Sequence, residues 1–365
     1  MEYRVLPCLT RPVGVVAIGG GNLHALDAEA TTALLDFAEE NGVNLIDMAL
    51  SHPQPLDSFR PALAGRRERF VVQMHLGMSF LGGEYARDYR LDAVRRSFEQ
   101  SMEKTSAAYA DLGCFHCVDN EEELRAILDG GVLDYALELK KAGLIRGLSF
   151  SSHTVDIANR FLDTGVIDAC MFSINAAYDL DPAAHDPYAA SYGDRAALYR
   201  RCAAAGVGIL VMKAFGGGLL LDARRSPLGR AMSVSQCLQY ALDRPGVTAC
   251  ALGVHSRAEL AAALAYFDAA AEARDYGALL ESPGSLAGAC VYCNHCMPCP
   301  EGIDIGQTHK FLDLHLAGDP MAKEHYASLA HPASDCAECG LCESRCPFRV
   351  EVREKLRKAR CAFGY

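Results

Sequence analysis

No run of about 20 consecutive apolar residues occurs in this 365-residue chain, which argues against a membrane-spanning helix. The opening segment Met1–Pro12 lacks the apolar core of an export signal, so a cytoplasmic protein is expected. Positive charge is also scarce. The formal net charge is −11, whereas a nucleic-acid-binding surface needs a basic face to offset phosphate. What the chain has in excess is cysteine, sixteen in all. Eight are scattered (Cys8, Cys114, Cys117, Cys170, Cys202, Cys237, Cys250, Cys361), and eight fall between Cys290 and Cys346 in two regular runs. A secreted disulfide framework is the bland reading, but even spacing without an export signal suits metal ligands better.

Half of the residues are hydrophobic, enough for a large core. Short apolar runs alternate with amphipathic stretches up to about residue 270, a pattern that implies parallel strands covered by helices. The expected strands are Val13–Ile18, Val43–Asp47, Phe70–His75, Asp111–Cys117, Ile145–Phe150, Ala169–Ile174, Val207–Met212 and Val247–Leu252. Between them, helical periodicity covers Ala28–Glu40, Asp92–Lys104, Leu133–Lys141, Val155–Leu162, Arg195–Ala204, Ser233–Leu242 and Arg257–Ala265. Glycines such as Gly42, Gly143 and Gly206 stand where a helix would close before the next strand. Eight such units predict a (β/α)₈ barrel over residues 1–275, with an open doubly wound sheet as the runner-up. Reactive groups then belong at the strands' C-terminal ends. Two connections, Met78–Arg90 with Phe80, Tyr85 and Tyr89, and Ala176–Asp194 with Tyr178, His185, Tyr188 and Tyr192, are long enough to act as lids or as ordinary surface loops. Residues 276–289, with Ser282-Pro283-Gly284-Ser285, look like a linker to a small helical, ferredoxin-like domain at 290–365.

The cysteine runs are Cys290-Val-Tyr-Cys293-Asn-His-Cys296-Met-Pro-Cys299-Pro and Cys336-Ala-Glu-Cys339-Gly-Leu-Cys342-Glu-Ser-Arg-Cys346-Pro. Three thiolates spaced by two residues wrap one cubane, and the cysteine before proline ligates the other cluster in two-cluster ferredoxins. Cys290, Cys293, Cys296 and Cys346 are therefore expected on one [4Fe–4S] cluster, and Cys336, Cys339, Cys342 and Cys299 on the second. Structural zinc is the competing reading, but it leaves the third cysteine and the Cys-Pro of each run unexplained. Such clusters carry single electrons, and exposed ones suit an anaerobic setting.

Over essentially its whole length the chain resembles the aldo/keto reductases, specifically members with a C-terminal [4Fe–4S] domain. The resemblance rests on Leu45-Ile46-Asp47-Met48-Ala49, on Phe70–His75, on Asp111–His116, on Val211-Met212-Lys213 and on both cysteine runs. It implies a barrel whose strand ends hold NADP(H) and a carbonyl substrate, with a catalytic tetrad of Asp, Tyr, Lys and His. Asp47 and His116 match that tetrad, while His52 stands at the tyrosine position and His75 at the lysine position. Among positions that the resemblance assigns to the cofactor, Ser151 and Ser152 follow strand five and Asn175 replaces a glutamine. Met212 replaces the aromatic that stacks on nicotinamide, and Ser256 with Arg257 could face a phosphate. Gly216, Gly217 and Gly218 could admit a phosphate to the backbone, with Lys213 beside them. NADP(H), a flavin, or neither remain open at this stage.

If the alignment holds, His52, His75 and His116 converge beside Asp47. One reading makes an imidazole the general acid, with Asp47 orienting His75. A second makes the three histidines a site for a divalent metal, and a third a packed cluster without chemistry. His153 is a further mouth candidate, Cys114 and Cys117 read as buried thiols, and Arg353–Arg360 as a solvated helix face. The expected function is an iron–sulfur oxidoreductase acting on a small carbonyl or hydroxyl compound, with an electron-carrier protein as partner. The alternatives are a metal-dependent lyase or hydrolase with structural clusters, and a non-catalytic electron carrier.

Overall fold

The computed structural model of the protein describes residues 1–81, 83–179, 192–276, 288, 290, 296–316, 322–346 and 349–365. Eight parallel strands close into a barrel: β1 (Val16–Gly19), β2 (Leu45–Asp47), β3 (Val71–Leu76), β4 (Ala110–Phe115), β5 (Ile145–Ser152), β6 (Ala169–Ser173), β7 (Gly208–Met212) and β8 (Val247–Gly253). β8 pairs with β1 through Cys250↔Val16 to Gly253↔Gly19, so no edge is left. Closure rules out the open doubly wound sheet. The expected first strand is split: Val13–Gly14 pairs antiparallel with Tyr3–Arg4, and only Val16–Gly19 enters the barrel. Among the described residues no helix is long and apolar enough to cross a membrane.

That N-terminal hairpin plugs the bottom of the barrel. Leu6, Leu9 and Val13 are buried with the inward-facing Ala17, Leu45, Val71, Leu112, Ala169, Met171, Leu210 and Ala249. The plug needs two strand glycines. A Cβ on Gly147 would strike Cys8, and one on Gly208 would strike Leu6. Outward-facing residues such as Ile46, Val72, Met74, Phe115 and Phe150 form the larger core beneath the helices.

Strand alternation then grades the interior from apolar to polar. On β2 the inward positions are Leu45 and Asp47, and on β3 they are Val71, Gln73 and His75. The fold thus delivers its polar side chains to the C-terminal end of the strands.

The C-terminal module packs helices Ile305–Leu316, Ala322–Ala327 and Val352–Phe363 together. Tyr326 stacks on Phe363 at 4.1 Å and its hydroxyl accepts the Ala333 N–H at 2.6 Å. The basic last helix is tied to the module by ion pairs: Arg353 to Glu343, Lys355 to Asp313 and Arg357 to Glu338. Residues 277–287 of the expected linker lie outside the described residues, as do Cys293 and most of the connection Ala176–Asp194, including His185 and Tyr188.

Candidate active site

Asp47 ends β2, buried at 3 % exposure. Its Oδ1 accepts the Gln73 side-chain amide at 2.7 Å and faces His75 Nε2 at 2.9 Å. Gln73 is fixed in turn by Ser149, whose hydroxyl donates to its Oε1 at 2.9 Å. His75 Nδ1 lies 2.8 Å from His116 Nδ1, and His116 Nε2 lies 2.7 Å from the Tyr85 hydroxyl. The result is an unbroken chain, Asp47–His75–His116–Tyr85, running from the floor of the mouth to the first long loop.

The hydrogen positions follow from the partners. Asp47 is an acceptor, so His75 Nε2 must carry a proton; one further proton is shared between the facing Nδ1 atoms. Burial opposes a charge on His75, but the Cys114 sulfur and Asp47 beside it outweigh burial and push its pKa up to about 10. Burial and the neighbouring His75 instead push His116 well below the ordinary imidazole value. His75 is therefore the cation and His116 the neutral ring, which bears its proton on Nε2 and donates it to the Tyr85 oxygen. The phenolic hydrogen takes no part in that bond.

Folded His75 titrates near 10 against an ordinary 6.5, so its charge stabilises the fold fully below about pH 6.5. That contribution declines as pH rises through this window and is gone above about 10. Thermal unfolding midpoints measured between these limits should fall, and fall less in His75→Gln. Parallel curves for the two proteins would rule out the charged His75.

His52 is placed elsewhere. Its ring stacks on His24 at 4.5 Å and its Nδ1 meets the Ser51 hydroxyl at 2.9 Å. The geometry also disfavours the three-histidine metal site, because His75 and His116 spend their ring nitrogens on Asp47, on each other and on Tyr85. Tyr85 entered the sequence reading only as a lid aromatic. Its place goes with the short ladder that its loop forms, Met78–Ser79 against Ala86–Arg87, and with the contact to His116 just past β4. Tyr89 anchors the same loop, its hydroxyl donating to the carbonyls of His116 (2.7 Å) and Cys117 (3.0 Å).

A second polar group flanks the first. Lys213 Nζ lies 2.6 Å from His153 Nε2, and His153 Nδ1 lies 2.9 Å from Asp119 Oδ2. Burial lowers the His153 pKa against the pull of Asp119, and Lys213 adds to the lowering, so the ring is neutral. Asp119 also lines a cleft of about 390 Å³ between the barrel and the cysteine module, with Arg87, Tyr89, Glu123 and, across it, Ser344 and Arg345.

The residues assigned to nicotinamide are largely turned onto the protein. Ser151 Oγ accepts the Cys117 N–H at 2.6 Å, and Ser152 Oγ donates to Asp119 at 3.2 Å. Asn175 donates to the Lys213 carbonyl at 3.0 Å and accepts the Tyr178 N–H at 3.0 Å. Ser256 caps the helix Arg257–Leu264, and Arg257 lies over the Phe37 ring at 5.2 Å. Gly217 and Gly218 have φ of 68° and 89°, a turn that only glycine makes cheaply. With Met212 in place of a stacking aromatic, this donor set does not fit a nicotinamide.

The cysteine set does fit iron–sulfur chemistry. Cys299, Cys336, Cys339 and Cys342, the expected second ligand set, are all described and outside any disulfide. Cys290, Cys296 and Cys346 are half-buried against the core.

Residues 13–235 match the aldo/keto reductase family, and residues 289–351 match a 4Fe-4S dicluster domain. No curated protein matches the chain. Among solved structures, a putative aldo-keto reductase from Pseudomonas aeruginosa is 25% identical with a TM-score of 0.58, the match covering 73% of this chain and 94% of that one. An aldo-keto reductase from Bacillus halodurans, in its holo form, is 18% identical with a TM-score of 0.61, the match covering 78% and 97%.

Proposed function

From the chain's membership of the aldo/keto reductase family, shown by the match over residues 13–235, we propose that its barrel mouth interconverts a small carbonyl compound and the corresponding alcohol, with Tyr85 exchanging the proton. The hydrogen-bonded chain from Asp47 to Tyr85 carries this reading. As two electrons and a proton from solvent reduce the carbonyl carbon to C–H, Tyr85 gives its phenolic hydrogen to the oxygen. The phenolate left behind already accepts the His116 Nε2–H. It is recharged by moving that proton to Tyr85 while the His75 Nδ1 proton moves to His116. Asp47 holds His75 throughout and stabilises its positive charge, the part that the resemblance gives to a lysine.

When bound by the cysteine module, [4Fe–4S] clusters supply electrons one at a time, and two clusters match the two electrons that a carbonyl needs. The assignment of Cys346 to the first set and Cys299 to the second is supported by Arg345, whose guanidinium donates to the Pro298 carbonyl at 2.7 Å and so sets the tails of the two runs side by side. A soluble electron carrier would refill the clusters.

The test is a single turnover. Holoprotein is reduced anaerobically, excess reductant is removed, and small aldehydes and ketones are added while the cluster absorbance is followed. Reoxidation is expected with about one alcohol formed per two electrons. Clusters that stay reduced against every carbonyl, and stay oxidised against every alcohol, would remove this function.

A further inference from the structure

We propose that Lys213 is an amine nucleophile, activated by His153 and Asp119, that condenses with an aldehyde or ketone to form a Schiff base. A nucleophile, a base in hydrogen-bond reach and a third group orienting the base is the arrangement that activates hydroxyls and thiols in many enzymes, and it applies equally to an amine. Here the two distances are 2.6 Å from Lys213 Nζ to His153 Nε2 and 2.9 Å from His153 Nδ1 to Asp119 Oδ2. Asp119 also accepts the His153 backbone N–H at 2.7 Å, so the carboxylate fixes both ring and main chain. His153 is buried and Asp119 half-buried, while Lys213 is partly exposed at the end of β7, where an incoming ligand can reach it.

Two of the five non-glycine residues with positive φ among the described residues belong to the same group. Lys213 and Cys117 hold φ of 61° and 53°, in the left-handed region that crowds a residue with a Cβ. Lys213 is clamped there by its own carbonyl, which accepts the Asn175 side-chain N–H at 3.0 Å and the Gly216 N–H at 2.8 Å. Cys117, Asp119 and His153 also place one ligating atom each within 4.8 Å of one another, the spacing of a metal site. Two cations oppose that use: Lys213 on His153, and Arg87 within 3.6 Å of the Cys117 sulfur.

The step balances without a redox partner. One ammonium proton passes from Nζ to His153 Nε2, and the amine attacks the carbonyl carbon. The N–C bond forms and a second N–H proton moves to the oxygen. His153 returns its proton to that hydroxyl, the C–O bond breaks, and water leaves a protonated C=N bond behind.

This inference takes from the proposed function only the carbonyl class of ligand, and its test needs no turnover. Anaerobic holoprotein is treated with propanal and cyanoborohydride, digested, and its lysines are mapped by mass spectrometry. Lys213 should be propylated at least about tenfold faster than the exposed Lys141, Lys323 and Lys358. His153→Gln and Asp119→Asn should each slow labelling at Lys213 by about tenfold or more while the three surface lysines react as before. Labelling of Lys213 no faster than the surface lysines in the unmodified protein would overturn the proposal, whatever the variants do. Fast labelling that survives both substitutions would overturn the role of His153 and Asp119.

Discussion

Tyr85→Phe is expected to lower carbonyl–alcohol turnover by about 10²- to 10⁴-fold, the usual worth of a positioned general acid. Iron content and fold should be unchanged. The ring stays, so its packing against Phe80 (6.2 Å between centroids) is kept, and losing the hydrogen bond from His116 costs about 1 kcal/mol. The His116 Nε2–H, 2.7 Å from the phenol oxygen in the native protein, would have no phenolate to stabilise. The loss should therefore fall on kcat and on kcat/KM alike, because the interaction matters only as charge develops on the oxygen. His52→Ala separates this reading from the tyrosine position implied by the family resemblance. His52 contacts His24 and Ser51, outside the proton chain, so turnover should change by no more than a few-fold. A Tyr85→Phe protein as active as the parent, or a His52→Ala protein as impaired as Tyr85→Phe, would move the acid away from Tyr85.

The barrel was legible because each element announces itself locally. The helix Ala28–Glu40 begins after an Asp27 cap and runs to its expected end, and most strands fall within two residues of their apolar runs. The helix Gln54–Ala62 has no clear signature in the sequence, because prolines such as Pro55 and Pro61 ordinarily break helices. Pro55 sits in the first turn, where no amide hydrogen is needed, and Pro61 in the last. Asp47, His75 and His116 were legible as neighbours because parallel register brings β2, β3 and β4 side by side. His52 lies five residues past Asp47, and where the chain goes after a strand end is set by tertiary packing. Tyr85 was hidden for the same reason: its place depends on a two-residue ladder within a loop, a contact with no periodicity to read. Lys213 and His153 were each visible alone. Their pairing required knowing that β5 and β7 flank β6 on either side, a relation carried by the strand order and by neither segment.

Asp179→Ala should cost the protein about 3–5 kcal/mol, a large share of the 5–15 kcal/mol that holds a typical domain folded. Asp179 has no solvent exposure. One carboxylate oxygen accepts Arg195 Nε at 2.7 Å and the Tyr199 hydroxyl at 2.6 Å, and the other accepts the Tyr240 hydroxyl at 2.9 Å. Arg195 also donates to the Ser173 carbonyl at the end of β6. One carboxylate thereby joins β6, the helix Tyr192–Ala204 and the helix Val234–Leu242 on the flank of the mouth. Truncation would leave a guanidinium in the core with its counter-charge gone, and two phenols without their acceptor, which is why the cost exceeds that of an ordinary hydrogen bond. The comparison is Asp92→Ala, which breaks an exposed i,i+4 pair with Arg96 and should cost under about 1 kcal/mol. Denaturant midpoints of the two anaerobic holoproteins, read by far-UV circular dichroism, decide the matter. Equal midpoints would mean that the buried pair contributes no more than the surface one. Asp179→Asn adds a further distinction, since it keeps an acceptor oxygen but removes the charge. A variant as unstable as Asp179→Ala would assign the loss to the charge on Arg195, and a nearly native one would assign it to the hydrogen bonds.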